Sequence, residues 1–452
     1  MAPLAILGLA LVVVVGGTLA LRLHPFLTLV VAAFVVAAVT PAGPEPLVSP
    51  GQRVAEGFGK TALDIGIVIA LASILGACLS AAGAAERIVV AIRRALGEQR
   101  TPLALLTAGF VLGIPMFAET VFYLLLPLAR AAWAGTGRHY LLCVLAIVAG
   151  ATMTHSLVPP TPGPLFVADA FSIDMATMIG CGSIVGLVAA LAGFAYARWA
   201  DGRWPLEPAD AFPDARDPDA GAVPARRPPP LWASLLPILL PVVLISLESL
   251  TRSAPDLVPA PTLATIRLVG EKNLALALAA IAAVALLAAS GAGMTVIRRT
   301  VAEAVTEAGG IVLVIAAGGA LGGTLRQAGL AELSSGLATG GGLALVPIAW
   351  LVTAVIRVAQ GSATVAMITA AGVMAPMVLA ADPGFHPVYV AVAIGCGSKI
   401  GMWMNDSGFW VISRMSGMSE IQTLRTASVM VTIEGTVGLI ATLVLATLWP
   451  MR

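Results

Sequence analysis

Apolar residues fall in long runs along this chain, separated by short polar or glycine- and proline-bearing stretches. Runs of roughly membrane-spanning length, about 20 residues, lie around 3–21, 26–40, 62–82, 102–129, 140–157, 175–197, 232–250, 273–291, 309–325, 342–380, 387–404 and 426–449. This pattern predicts an all-α polytopic membrane protein. Composition agrees: 59% of the 452 residues are hydrophobic and 11% charged, against about half and about a quarter in soluble domains.

One long polar segment interrupts the runs, from Arg198 to Pro230, and its Pro, Asp, Ala and Arg content is that of a flexible linker. It lies near the middle of the chain, which prompts a search for internal repetition. Leu75, Gly76, Leu79, Ala82, Gly83, Ala85 and Glu86 recur as Leu321, Gly322, Leu325, Ala328, Gly329, Ala331 and Glu332, offset by 246. "AETV" at Ala118–Val121 faces "SATV" at Ser362–Val365, offset by 244, and "PPTPG" at Pro159–Gly163 faces "MNDSG" at Met404–Gly408, offset by 245. Three echoes at a near-constant offset predict a duplication. With 102–129 taken as a hairpin and 140–172 as one broken crossing, five crossings separate Leu75 from Leu321. An odd number predicts an inverted repeat.

Helix breakers at membrane depth are tolerated only where the freed backbone groups are buried in protein or line a wet cavity. Four segments carry them. "GIPMFAET" (Gly113–Thr120) and "AQGSAT" (Ala359–Thr364) suit the tips of re-entrant hairpins, while "THSLVPPTPGP" (Thr154–Pro164) and "GSKIGMWMNDSGF" (Gly397–Phe409) read as interruptions within spanning helices. Half-helix N-termini at such breaks offer N–H groups and positive dipole ends to an anion. Thr120, Thr154, Thr161, Gly163, Ser362, Thr364, Asn405 and Ser407 are therefore expected to line a site for a small polyhydroxylated carboxylate. The bland reading of any single Ser or Thr is a back-bond to its own helix.

Charges inside spans are expensive and each needs a role. Glu119 reads either as a carboxylate paired to a nearby cation or as a protonatable coupling or binding group; Asp406 either braces unwound N–H groups or carries charge. Arg357 is either structural at the interface or a counter-charge for a carboxylate. Lys399, a lone ammonium in the second broken helix, is positioned to pair with Asp406 or with substrate. His155 either carries a coupling proton or donates to a freed carbonyl. Glu434 in the last span is a further candidate, with a helix-packing contact as the equal alternative. His24, His139 and His386 border predicted spans and receive no role.

The formal net charge of +1 offers no field for a nucleic acid partner. No metal-ligand spacing, cofactor motif or nucleophile–base pair appears, so neither a metal, a cofactor nor an enzyme is expected. Cys78, Cys143, Cys181 and Cys396 lie in predicted spans without paired spacing and read as buried small hydrophobes. The first apolar run has no preceding positive charge and no small-residue cleavage site, so it is expected to be a retained span. The expected location is the bacterial inner membrane.

The motifs "LGACLSAAGAAERI" from Leu75, "THSLVPPTPGP" from Thr154, "IRVAQGSATVAMITAAG" from Ile356 and "NDSGFW" from Asn405 resemble the gluconate:proton symporter (GntP-type) permeases, over most of the chain except the linker. The resemblance implies secondary active, proton-coupled symport of a small organic acid. The alternative is a carrier for a D-amino acid or other small carboxylate, sodium-coupled. Through the wider ion-transporter superfamily it also implies a homodimer with a scaffold and a mobile transport domain working as an elevator. That implies scaffold at 1–61 and 231–307, repeat 1 at 62–197 and repeat 2 at 308–452, with 198–230 as the linker. The departures lie at Ala118, Val121, Thr161, Lys399, Trp403 and Ser407. They remove imidazoles and add an ammonium, which keeps the transport class and puts gluconate itself in question.

Overall fold

The computed structural model of the chain describes residues 3–19, 21, 23–40, 49–97, 100–206, 229–253, 259–327, 342–381, 383–404 and 406–451. Regular structure among the described residues is helical, without a strand. The first half contains α1 (Pro3–Leu19), α2 (Pro25–Val39), α3 (Pro50–Ala81), α4 (Ala84–Leu96), α5 (Thr101–Leu112), α6 (Ala118–Thr136), α7 (Tyr140–Leu157), α8 (Pro162–Ala170) and α9 (Met175–Arg203). The second contains α10 (Leu231–Ser253), α11 (Ala260–Val269), α12 (Lys272–Ala289), α13 (Met294–Gln327), α14 (Leu345–Gln360), α15 (Ala363–Ala381), α16 (Val388–Gly397), α17 (Ser407–Ser416), α18 (Glu420–Thr423) and α19 (Val429–Leu448). A π-helical turn, Leu424–Ser428, joins the last two.

Seven helical runs among the described residues are long and apolar enough to span a bilayer, and an eighth counts if the two parts of α3, bent by 43°, are taken together. The chain is thus a polytopic α-helical membrane protein. Several helices are shorter than a span, and four of them, α5, α8, α16 and α17, flank the interruptions that Gly and Pro mark in the sequence. The succession also recurs along the chain. α6 and α15 begin at Ala118 and Ala363, α8 and α17 at Pro162 and Ser407, α9 and α18 at Met175 and Glu420, the spacing of the sequence echoes.

The helices do not end at the expected domain borders. α3 runs unbroken past residue 61 because Ser49 caps its N-terminus, accepting from Gln52 N at 3.1 Å, and Pro50 occupies its first turn. α13 likewise runs through residue 307. Arg198–Arg203, read in the sequence as the start of the linker, continue α9, which is capped by Trp204. Most of the expected linker, the second-half partners of the first echo (Ala328, Gly329, Ala331 and Glu332) and Asn405 lie outside the described residues.

Packing divides the helices into two groups. α3 lies along α13, flanked by α2 and α12, with α10 against α12. In the other group α7 packs on α5, α6 and α9, and α16 on α14, α9 and α19. α7 with α8 and the whole of α16 are almost entirely buried, so the two interrupted helices form the centre of this second group. Small residues let backbones meet there: a Cβ on Gly150 would stand 2.2 Å from Leu106 O of α5, and one on Gly182 of α9 2.0 Å from Leu157 O. The four cysteines are free and buried.

Candidate functional site

Three helix N-termini converge on one cavity. The starts of α6 (Ala118, Glu119), α15 (Ser362 to Thr364) and α17 (Ser407, Gly408) line a cavity of about 100 Å3, closed by Thr152 and His155 of α7 and by Lys399 from the turn after α16. Each N-terminus leaves backbone N–H groups without helical partners and a positive dipole end, which together favour an anion.

Local sequence explains why the chain stops there. α14 ends at Gly361, whose φ of 82° is the left-handed region that glycine enters freely. Ser362 then starts α15, its hydroxyl accepting from Val365 N at 3.3 Å. Asp406 caps α17, accepting from Gly408 N at 2.7 Å. Its other oxygen accepts from Arg357 Nη2. Arg357 also donates from Nε to Ser398 O at 2.8 Å and from Nη1 to Gly361 O. One buried guanidinium thus holds the end of α14, the unwound carbonyl after α16 and the cap of α17. Gly401 N, freed by the same interruption, donates to Thr432 Oγ1 of α19 at 3.2 Å.

The remaining charges stand apart from that brace. Glu119 lies across from the start of α17, its Oε1 within 3.5 Å of where a Cβ on Gly408 would be. Lys399 is only 5% exposed and, among the described residues, has no carboxylate within ion-pair distance. His155 packs against Phe117 with ring centroids 5.5 Å apart and planes tilted by 57°, and its Nδ1 has no hydrogen-bond partner among the described residues.

Not every expected site residue faces this space. Glu119, His155, Arg357, Ser362, Thr364, Lys399, Asp406 and Ser407 line it. Thr120 and Thr161 instead line a larger cavity of about 350 Å3, on the far side of the Pro115–Phe117 turn and against Ser73 and Ser80 of α3 and Glu303 and Glu307 of α13. Thr154 lines neither: it is fully buried and returns its hydroxyl to Gly150 O at 2.9 Å, the back-bond that any helical threonine can make. Gly163 packs instead of lining, with the Met367 sulfur 2.9 Å from its would-be Cβ. Thr152, which sequence reasoning passed over, lines the cavity two residues before Thr154.

Comparisons with known proteins give the family and the fold. The chain is 33% identical over 430 residues to the gluconate permease of Pseudomonas aeruginosa, covering 94% of this chain and 93% of that protein. It is 30% identical over 447 residues to the Gnt-II system L-idonate transporter of Escherichia coli, covering 98% of each. Among solved structures, the Alcanivorax borkumensis YdaH transporter shares the fold with a TM-score of 0.59 at 16% identity, over 94% of this chain and 98% of that one. The GntP family permease model matches residues 2–448. On that match and those relatives, the chain belongs to the GntP family of permeases, multi-pass transporters of small organic acids in the bacterial inner membrane, not enzymes.

Proposed function

We propose that this permease carries a sugar acid, of the gluconate or idonate kind, inward with protons, and that the acid's carboxylate binds between Lys399 and the N-termini of α15 and α17. The observation that carries the reading is the convergence of three helix starts on a space holding an ammonium with no carboxylate at ion-pair distance among the described residues. Ser362, Thr364 and Ser407 supply hydroxyls for the polyol chain, Arg357 and Asp406 hold the walls, and Glu119 and His155 complete the polar lining. Gly163 serves the site from behind by seating α8 on α15.

At about 100 Å3 the cavity lies below the ~300–1,000 Å3 typical of sites that enclose organic ligands. Loading therefore requires the turns at Pro115–Phe117 and Gly361–Ser362 to part, and the larger cavity beside Thr120 and Thr161 is the approach to the first of them. In this reading the recurring succession of helices is an inverted repeat whose paired hairpins and broken helices form a mobile transport unit. That unit moves as an elevator against a scaffold built around α2, α3, α12 and α13, in a homodimer.

The test is uptake by the purified protein in proteoliposomes. D-Gluconate or L-idonate is expected to accumulate under an inward proton gradient and to cease when that gradient is collapsed. Accumulation that follows sodium instead, or uptake of D-amino acids in place of both acids, would overturn the reading.

A further inference from the structure

Behind the cavity lies a carboxyl that no interaction yet described uses. Glu434, in the second turn of α19, is fully buried, and its Oε1 has no hydrogen-bond partner among the described residues. The space it fills is shaped for it. A Cβ on Gly193 of α9 would lie 2.1 Å from Oε1, so only glycine at that position admits the carboxyl. Its Oε2 lies 3.4 Å from Thr152 Oγ1 of α7. That hydroxyl already donates its single hydrogen to Val148 O at 2.8 Å, which leaves a lone pair for the carboxyl. The contact is a hydrogen bond when the carboxyl carries the proton.

Two neighbours of Glu434 face the substrate cavity. Thr152 lines it, and so does Lys399, whose Cβ packs within 3.1 Å of where a Cβ on Gly435 would stand. We propose that Glu434 is the residue that takes up and gives up the coupled proton, from a pouch behind the cavity rather than from its lining. The proposal rests on the proton-coupled reading above. The charged and titratable groups around it are Lys399 and Cys396 beside α19, His155 of α7 one turn beyond Thr152 and, across the cavity, Glu119, Arg357 and Asp406; α9 meets it with Gly193.

The coupling follows from competition for one ammonium. While a substrate carboxylate occupies Lys399, an ionised Glu434 would stand buried without a counter-charge, which is strongly unfavourable. The protonated acid carries no such cost. When the substrate leaves, Lys399 becomes available to the Glu434 carboxylate. The proton then passes from Oε2 to the Thr152 hydroxyl oxygen as that hydroxyl turns its own hydrogen from Val148 O to water reaching the cavity, which carries it away. Uptake is the reverse. Proton and substrate thus favour each other's binding, as linkage requires of two ligands sharing one coupling.

The experiment compares wild type with Glu434→Gln in proteoliposomes, using D-gluconate. The glutamine mimics the protonated carboxyl and cannot release a proton. The ratio of proton-driven accumulation to gluconate exchange is expected to fall by roughly tenfold or more, and the Kd for gluconate to lose its pH dependence. Glu434→Gln that accumulates gluconate under a proton gradient as wild type does would overturn the proposal. Thr152→Val covers the case in which the glutamine variant does not fold: it keeps the carboxyl and removes its partner, so a pH profile of Kd identical to wild type would also overturn it. Wild type that fails to accumulate gluconate under the proton gradient removes the coupled reading and this inference together.

Discussion

The two interrupted helices occupy corresponding places along the chain and solve the same problem in opposite ways. Between α7 and α8 the interruption is built from Pro159, Pro160 and Pro162, which have no N–H to satisfy, and the Thr161 hydroxyl shares its one hydrogen between the freed carbonyls of His155 and Val158 at 2.8 and 2.9 Å. It closes on itself without a charge. Between α16 and α17 the freed groups are met from other helices: Arg357 of α14 for Ser398 O, Thr432 of α19 for Gly401 N. The difference teaches why the polar chemistry lies on one side. An interruption that depends on imported groups ties helices together and brings charge to the membrane interior, whereas a self-contained one supplies a wall.

The largest effect is expected where the imported brace is removed. Arg357→Ala leaves Asp406 buried beside an empty space and frees two carbonyls, which should cost about 3–5 kcal/mol of stability. A fall of that size in thermal unfolding of the detergent-solubilised protein, partly restored in Arg357→Ala with Asp406→Asn, is the expected result. If the double variant is no more stable than the single, the second interruption is not held by charge and the contrast fails.

Lys399→Met sharpens the contrast from the ligand side. Because Lys399 has no ion pair among the described residues, and Glu434 can stay protonated in its absence, its loss should leave the unfolding temperature near that of wild type. Affinity for a sugar acid should instead fall by about 2 kcal/mol, roughly 30-fold in Kd by calorimetry. Loss of stability without loss of affinity would move Lys399 from the site into the frame.

Much of this was legible in the residues. Glycine and proline at membrane depth announce an interruption wherever they stand, and Asp406, Arg357 and Lys399 announce polar surroundings because a lone charge there is costly. What could not be read was direction. α7 is apolar on every side and buried on every side, so no stripe indicates which face looks into the cavity. Thr152 and Thr154 point roughly opposite ways on a helix of 3.6 residues per turn, and the sequence offers no means of choosing between them. Thr120 and Thr161 read as site residues for the same reason. Nothing in the chain's order reveals that Phe117, lining the larger cavity, packs against His155, lining the smaller. The start of α3 was hidden too, since a capped, polar first turn carries no hydropathy signal.

The same distinction between direction and presence gives the smallest expected effects. Thr161→Val deletes the hydroxyl that satisfies two buried carbonyls, each otherwise without its partner, and should destabilise by about 1–3 kcal/mol with gluconate affinity unchanged. Thr154→Val, within α7 and also buried, removes only a back-bond to Gly150 O, a carbonyl that helical geometry already supplies with the Thr154 amide. It should change stability by under about 0.5 kcal/mol. Measured side by side in one unfolding experiment, the pair tests whether the first interruption is held by its own hydroxyl. Equal effects would mean that the prolines alone fix the break, and that the self-contained half needs no polar closure.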